Sequence, residues 1–446
     1  MPTNAALRTG RDGAVRWTNW ARTATTAPTR VARPRTVAEI AAAIEDAADH
    51  DRRIRPLGSG HSFTGIAAGS DAVIDLSAWT GIESADIETG LVTVRSGTTL
   101  RELNRALDRL GLAMSNLGDI DAQTIAGAIS TGTHGTGGRF GGLATQVDAL
   151  ELVLADGSIA TCSARKRADL FAAARIGLGA LGVISTVTVR CEPAFLLAAD
   201  ERPRPLDAVL ATFDELVASN DHVEFYWFPY GRNALVKLNN RLPLGAAARP
   251  MNPVRRYVEY TVLENGVLGL LCRLGRAVPS LVAPLNRLAS AAVSPRAYRD
   301  RAHRVFVTPR SVRFYESEYA VPRDALAGVL TELRTRVPRL RHPVMLPVEI
   351  RTAAEDDIWL STAYQRESAY IAVHQYVGMP HREYFRMFES VVGAVGGRPH
   401  WGKLHTLDAD ALRRRYPRFD DFVRLRDAVD PRHRFGNPYL ERVLGS

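Results

Sequence analysis

Three glycine-rich segments within the first 195 residues constrain this chain more than any other feature. The first is Arg55-Pro56-Leu57-Gly58-Ser59-Gly60-His61-Ser62-Phe63-Thr64, the second spans residues 115–138, and the third is Gly177-Leu178-Gly179-Ala180-Leu181-Gly182-Val183-Ile184. Without a Cβ, such loops let backbone N–H groups turn toward a phosphate. In the second, the sequence predicts a short helix from near Ala122, capped by Asp121. Ala122, Ala126, Gly127 and Ser130 make that helix small-faced, and its N-terminus offers free N–H groups to a diphosphate. The first segment is not a Rossmann fingerprint. The third glycine position is Phe63, and a loop and a strand at residues 72–76 follow instead of a helix.

His61 follows the first turn directly, where a bound cofactor's ring could meet it. A nucleotide cradle and a nucleophilic imidazole in one turn suggest a flavin fixed to the protein. A hydrogen-bonded loop histidine is the alternative that these residues alone leave open.

Around the glycine segments, helix and strand alternate up to about residue 195. Helices are predicted over 36–49, with Ile40 and Ile44 on one face, over 99–110, with Leu100, Leu103, Leu107 and Leu110 aligned, and over 168–174. Strands are predicted at 52–57, 91–95 and 183–190, and a hairpin joins 150–154 to 158–162 through Asp156-Gly157. From residue 196 longer aromatic strands appear, at 222–228, 313–320, 344–351 and 370–377, with helices between them. An α+β chain is expected, with parts at 1–195, 196–398 and 399–446, the second an antiparallel sheet covered by helices.

The net charge of +9 is scattered, too thin for a nucleic-acid stripe. The three cysteines, Cys162, Cys191 and Cys272, lack paired spacing, so neither a disulfide framework nor a zinc site is expected and a cytoplasmic location fits. No apolar leader is visible in residues 1–30. The most apolar stretch, 267–293, is interrupted by Arg273, Arg276, Pro279, Pro284 and Arg287, so no membrane span is expected. A core or lid helix is the expected reading there, and a surface-lying amphipathic segment the alternative.

Chemistry-bearing candidates lie in the second half. Alternation on the strand at 344–351 puts Glu349 and Arg351 on one face, where they could hold vicinal hydroxyls and a carbonyl oxygen, or form a cross-strand ion pair. His374 shares a strand face with Tyr370 and Tyr376, which also suits a satisfied core histidine. Trp401, Lys403 and His405 alternate near the C-terminus. Lys403 is one of three lysines in a chain that otherwise uses arginine, which hints at a need for a compact ammonium.

Segments 55–64, 115–138 and 177–184 resemble the FAD-binding domain of the vanillyl-alcohol-oxidase superfamily. Asn116-Leu117-Gly118, residues 130–137 and His400-Trp401-Gly402-Lys403 narrow the resemblance to aldonolactone oxidoreductases and alditol oxidases. The resemblance runs from about Asn19 to Leu444. It implies a two-part FAD-binding domain of para-cresol-methylhydroxylase type and a substrate-binding cap. It also implies that His61 carries an 8α-histidyl bond to FAD, beside Gly58, Ser59, Gly60 and Ser62. Bicovalent relatives use a cysteine within 118–127; none stands there, so a single link is expected. The second segment would contribute Ser115, Gly118, Asp119, Thr124, Gly127, Ser130, Thr133, His134 and Gly135 to the cofactor, and the third Gly182, Val183 and Ile184. Lys403, Arg351, Glu349 and His374 become catalytic candidates. The resemblance places Gly118 at the position that gates O2 access in this group. The implied reaction is oxidation of a sugar-1,4-lactone of L-gulono, L-galactono or D-arabinono type, with O2 as acceptor and another electron acceptor as the alternative. An alditol or a sugar-tailoring oxidation is the alternative, and a basic binding protein with an inert nucleotide site the reading from another class.

Overall fold

The computed structural model describes the chain apart from residues 1–6, 11, 12, 244 and 293. The expectation about an N-terminal leader therefore lies in part outside the described residues. The chain has two sheet-based layers that meet over a common cavity, in an α+β arrangement.

The first layer holds a parallel three-stranded sheet and an antiparallel five-stranded one. In the former, Ala72–Asp75 lies between Arg30–Ala32 and Ile54–Leu57. The latter runs in the order Ile159–Ser163, Val147–Val153, Val183–Arg190, Leu91–Arg95, Ile82–Asp86. The expected hairpin is present, and Gly157 takes a φ of +80° at its turn. The helix Leu100–Arg109 starts at a capping box, in which Thr99 and Glu102 satisfy each other's backbone N–H groups. Its Leu100, Leu103 and Leu107 enter the core with Val92, Val94 and Ile125.

The second layer is an eight-stranded antiparallel sheet. Its order is Arg296–Arg301, Leu196–Pro205, Asn233–Leu242, His222–Trp227, Val348–Ala353, Ser368–Tyr376, Phe314–Pro322, Arg398–Pro399. Strand alternation divides its two faces. Val223, Phe225, Ile350, Ile371 and Tyr319 point to one side and pack under the helices Phe213–Ser219, Leu326–Arg336 and Arg382–Gly393. Glu224, Glu349, Arg351, His374, Glu316 and Glu318 point to the other side and are buried as well, against the first layer. The strand expected from residue 344 begins only at Val348, since Pro347 has no N–H to give a ladder.

Residues 400–446 close the two layers together. Trp401, Tyr416, Phe419 and Leu440 join the core of the first layer. Asn437 donates its amide to the carbonyls of Gly65, Ile66 and Ala68 at 2.9–3.1 Å, and Phe63 N–H donates to Gly402 O.

The apolar stretch near 267–293 does not simply enter the core. Cys272, Val282, Asn286 and Ser290 face inward, but many of its aliphatic side chains face out. No helix among the described residues is long and apolar enough to cross a membrane.

Candidate active site

The strand Ile54–Leu57 runs into the Gly58-Ser59-Gly60 turn, where Gly60 has a φ of +66° that a side chain would disfavour. Across from it stands the short helix Ile125–Ser130. Its cap is Thr124, whose Oγ1 accepts from Gly127 N–H at 3.2 Å. Asp121 is not the cap. It faces Arg101 at 2.7 Å, and Thr124 stands immediately before the helix with its hydroxyl in place. A Cβ added at Gly58 or Gly127 would fall 2.8 or 2.9 Å from Thr124 Oγ1, so the two backbones approach as closely as glycine allows. Ser59 Oγ accepts from Thr124 N–H, tying turn to helix. A narrow cavity of about 100 Å³ lies here, lined by Gly58, Ser59, Gly60, Thr124, Gly127, Ser130, Gly182 and Ile184. A main-chain slot with few side chains fits the diphosphate part of a dinucleotide.

His61, with Ser62, lines both this slot and a much larger cavity of about 940 Å³. Its ring stacks on Trp20, and its Nε2 is buried without a hydrogen-bond partner. Burial, and then the charges of Lys403 and Arg101, push the imidazole down to about 4, so it is neutral at neutral pH. An orphaned nitrogen at the junction of the two cavities fits a group that passes from one into the other.

The large cavity is walled by the polar face of the eight-stranded sheet. Glu316 and Glu318 are two apart on Phe314–Pro322, and Lys403 Nζ lies between them, at 2.5 and 3.8 Å. Burial opposes charge on all three, yet Lys403 outweighs it at Glu316, His134 and then Lys403 outweigh it at Glu318, and the two carboxylates outweigh it at Lys403. Glu316 is held down at about 2, Glu318 well below its usual range, and Lys403 is raised. Lys403 is thus a fixed ammonium. His374 donates its Nδ1–H to Pro347 O at 2.8 Å, which leaves Nε2 facing Glu316 at 3.5 Å and Glu349 at 3.9 Å.

Arg351 anchors a second cluster. It pairs with Glu349, with Glu224 at 3.0 Å and with Asp119 at 3.4 Å. Arg310 pairs with Asp119 and donates to Tyr226 OH, which donates in turn to Glu349 at 2.8 Å. Burial would raise the Asp119 carboxyl, but Arg310 and Arg351 hold it below its usual value. Cation and carboxylate alternate along one wall, a surface suited to a polyhydroxylated molecule.

Gly118, Thr133 and His134 line the same cavity. A Cβ at Gly118 would come to 3.2 Å from His134 O. His134 stacks on Tyr370 and meets Glu318 at 3.0 Å. The structure therefore brings His61, Gly118, Glu349, Arg351, His374 and Lys403 around one space. Asp119 lines this cavity as well, between Arg310 and Arg351. Three expected residues line neither cavity. Ser115 gives its N–H to Gln146, Gly135 packs its backbone on Asn116 and Leu117, and Val183 is buried in the core with Ile40 and Ile74.

Sequence reading missed Glu316, Glu318, Glu224, Arg310 and Lys237. Lys237 is a second of the three lysines, buried 3.0 Å from Glu224. The lysine scarcity that drew attention to Lys403 applied equally to it. The acids at 316 and 318 share a face of an otherwise aromatic strand, a signal as legible as the one at 349 and 351.

Residues 187–443 match the family described as D-arabinono-1,4-lactone oxidase. The chain belongs to that family. Residues 28–163 match an FAD binding domain, the region that holds His61 and most of the slot. Family relatives span nearly the whole chain. An L-gulono-1,4-lactone dehydrogenase of Mycobacterium tuberculosis (strain ATCC 25618 / H37Rv) is 44% identical, covering 96% of this chain and 99% of its own length. An L-gulonolactone oxidase of Bos taurus is 33% identical, covering 96% and 98%. An alditol oxidase of Streptomyces sp. is also 33% identical, over 96% and 98%. In fold, the chain is similar to a solved structure described as a solvent-stable cholesterol oxidase, with a TM-score of 0.79 at 19% identity, covering 96% of this chain and 97% of that one. This family member is an FAD-dependent oxidoreductase acting on CH–OH groups.

Proposed function

We propose that the chain oxidises a carbinol of a sugar-1,4-lactone of L-gulono, L-galactono or D-arabinono type, with FAD tethered through an 8α-histidyl bond at His61 and O2 as the electron acceptor. The observation that carries this reading is the single wall on which Lys403, His374, Glu349 and Arg351 face a cavity that His61 also lines. A bound flavin would supply the hydride acceptor. Arg351 and Glu349 hold the hydroxyls and ring oxygen of the substrate, with Asp119 and Glu224 fixing the guanidinium in place. His374 Nε2, its other nitrogen committed to Pro347 O, takes the hydroxyl proton as the carbon is oxidised. Glu316 and Glu349 face the imidazolium that results. Lys403 stabilises negative charge developing on the oxygen, an interaction stronger in the transition state than in the ground state.

The covalent tether rests on the neutral, unpartnered imidazole of His61, and O2 as acceptor on the missing side chain at Gly118. A second reading of the acceptor, a carrier other than O2, is favoured by the 44% identical relative being named a dehydrogenase. An alditol is the alternative substrate, since the Streptomyces relative is named for one. The test is anaerobic mixing with L-gulono-, L-galactono- and D-arabinono-1,4-lactone beside xylitol and sorbitol, followed by air. Faster bleaching by a lactone, and recovery of colour in air, support the proposal. Bleaching by alditols alone overturns the substrate, and colour that stays bleached in air overturns the acceptor. Yellow colour should remain with acid-precipitated protein and be lost from the precipitate of His61→Ala; colour that washes from the wild type rules out the tether.

A further inference from the structure

The charges lining the large cavity are sorted by position. On the buried wall, carboxylates and cations answer each other, Glu316 and Glu318 around Lys403, and Asp119, Glu349 and Glu224 around Arg351. Toward the helix Leu100–Arg109 the lining turns to arginine. Arg101, Arg105 and Arg109 stand four residues apart on one face of that helix and all line the cavity, as do Arg256 and Arg304. Like charges at that spacing destabilise a helix, and Arg105, in its middle, draws nothing from the helix dipole.

Little neutralises this row. Asp121 pairs with Arg101 at 2.7 Å, and Asp108, the other acid on this part of the lining, is taken by Arg301 at 3.3 Å. Arg256 and Arg304 share the single carboxylate of Asp300, at 3.8 and 3.7 Å. Arg105 and Arg109 are exposed and have no carboxylate within ion-pair distance among the described residues. Beside them, Asn104 is 6% exposed and lines the same cavity, and its side-chain amide has no hydrogen-bond partner among the described residues. A buried amide left so costs free energy until a ligand satisfies it. Two free guanidinium groups and an amide on one helix are donors without acceptors. A phosphate ester brings three strong acceptor oxygens to them, where a carboxylate brings two. The cavity, about 940 Å³, is at the upper end for sites that take drug-sized molecules, more than a single sugar ring fills.

We propose that Asn104, Arg105 and Arg109 bind the phosphate of a phosphorylated sugar, esterified at the end away from the carbinol that is oxidised. The ester stays intact and takes no part in the oxidation. The proposal rests on the reading of the buried wall as the place where the carbinol reacts.

The test compares L-gulono-1,4-lactone 6-phosphate with L-gulono-1,4-lactone, and sorbitol 6-phosphate with sorbitol, on the holoprotein at low salt. In the pair that reduces the flavin, kcat/KM should be at least about tenfold higher for the ester, and the gain should shrink as salt screens the exposed arginines. Arg105→Gln/Arg109→Gln should bring ester and plain sugar to the same kcat/KM. Arg105→Lys/Arg109→Lys, which keeps the charge without the planar fork, should restore part of the gain. Titration calorimetry with the same compounds separates the two readings. An ester that binds at least tenfold tighter than its plain sugar while no compound bleaches the flavin upholds the phosphate site and overturns the assignment of the buried wall. Equal kcat/KM within the reactive pair overturns the phosphate site and leaves that assignment standing. Equal binding where neither member bleaches the flavin, or a gain that survives Arg105→Gln/Arg109→Gln, also overturns the phosphate site.

Discussion

Lys403 offers the sharpest test of the wall's electrostatics. Its ammonium is 2.5 Å from one buried carboxylate and 3.8 Å from another. Lys403→Met leaves Glu316 and Glu318 facing each other without their shared cation. Removing one partner of a buried pair costs about 3–5 kcal/mol, because the remaining charge is uncompensated. Loss of a group that stabilises a developing oxyanion slows the chemical step by about 100-fold or more. Lys403→Met/Glu316→Gln separates the two effects. It removes both charges, so most of the lost stability should return while flavin reduction stays slow.

The pH dependence has a definite sign. In the wild type the Glu316 carboxyl is held at about 2, below its unfolded value, so it adds stability at neutral pH that is lost as pH falls through that range. Lys403→Met removes the largest influence holding that carboxyl down, leaving burial and Glu318 to oppose its charge against His374 alone, so the stability gained on ionising Glu316 should shrink and stability at neutral pH should fall relative to that at acid pH. Denaturant unfolding across pH and stopped-flow anaerobic reduction read both quantities. A single variant as stable as wild type at neutral pH, or a double variant that reduces its flavin at the wild-type rate, refutes the reasoning.

Other outcomes follow from the same geometry. Gly118→Ala places a Cβ 3.2 Å from His134 O and narrows the cavity. Reoxidation by O2 should slow by about tenfold, equivalent to 1.4 kcal/mol of barrier, with anaerobic reduction by substrate little changed. Arg351→Lys keeps the charge but cannot reach Glu349, Glu224 and Asp119 together. KM for the lactone should rise at least about tenfold, as expected when a planar multidentate contact is lost; an unchanged KM would remove Arg351 from substrate binding.

Much of the first layer was legible because its signals are local. The hairpin at Asp156-Gly157, the helix Ala168–Ala174 and the strand Val183–Arg190 each carry their own turn residue or periodicity. The cap of Ile125–Ser130 was misplaced because Asp121 and Thr124 are both capping residues, and only the path of the chain toward Ser59 selects Thr124. The catalytic wall was half legible. Glu349 with Arg351 and the lone Lys403 stood out within their own segments. Glu316 and Glu318 gain meaning only from strand order, which sets Glu316 opposite His374 and brings Lys403 to them from the last part of the chain. The stretch at 267–293 reads in sequence as a core or lid helix or as a surface-lying amphipathic segment, and many of its aliphatic side chains face out, since periodicity gives an apolar face but not the side on which the rest of the protein lies.

Anaerobic mixing of the yellow holoprotein with excess L-gulono-1,4-lactone tests the central claim most directly. The account predicts that the visible flavin absorption bleaches in a single turnover, with one lactone oxidised per flavin, and that Lys403→Met/Glu316→Gln slows this by about 100-fold. A flavin that stays oxidised with every lactone and alditol tried, while a chemical reductant bleaches it, would contradict the account.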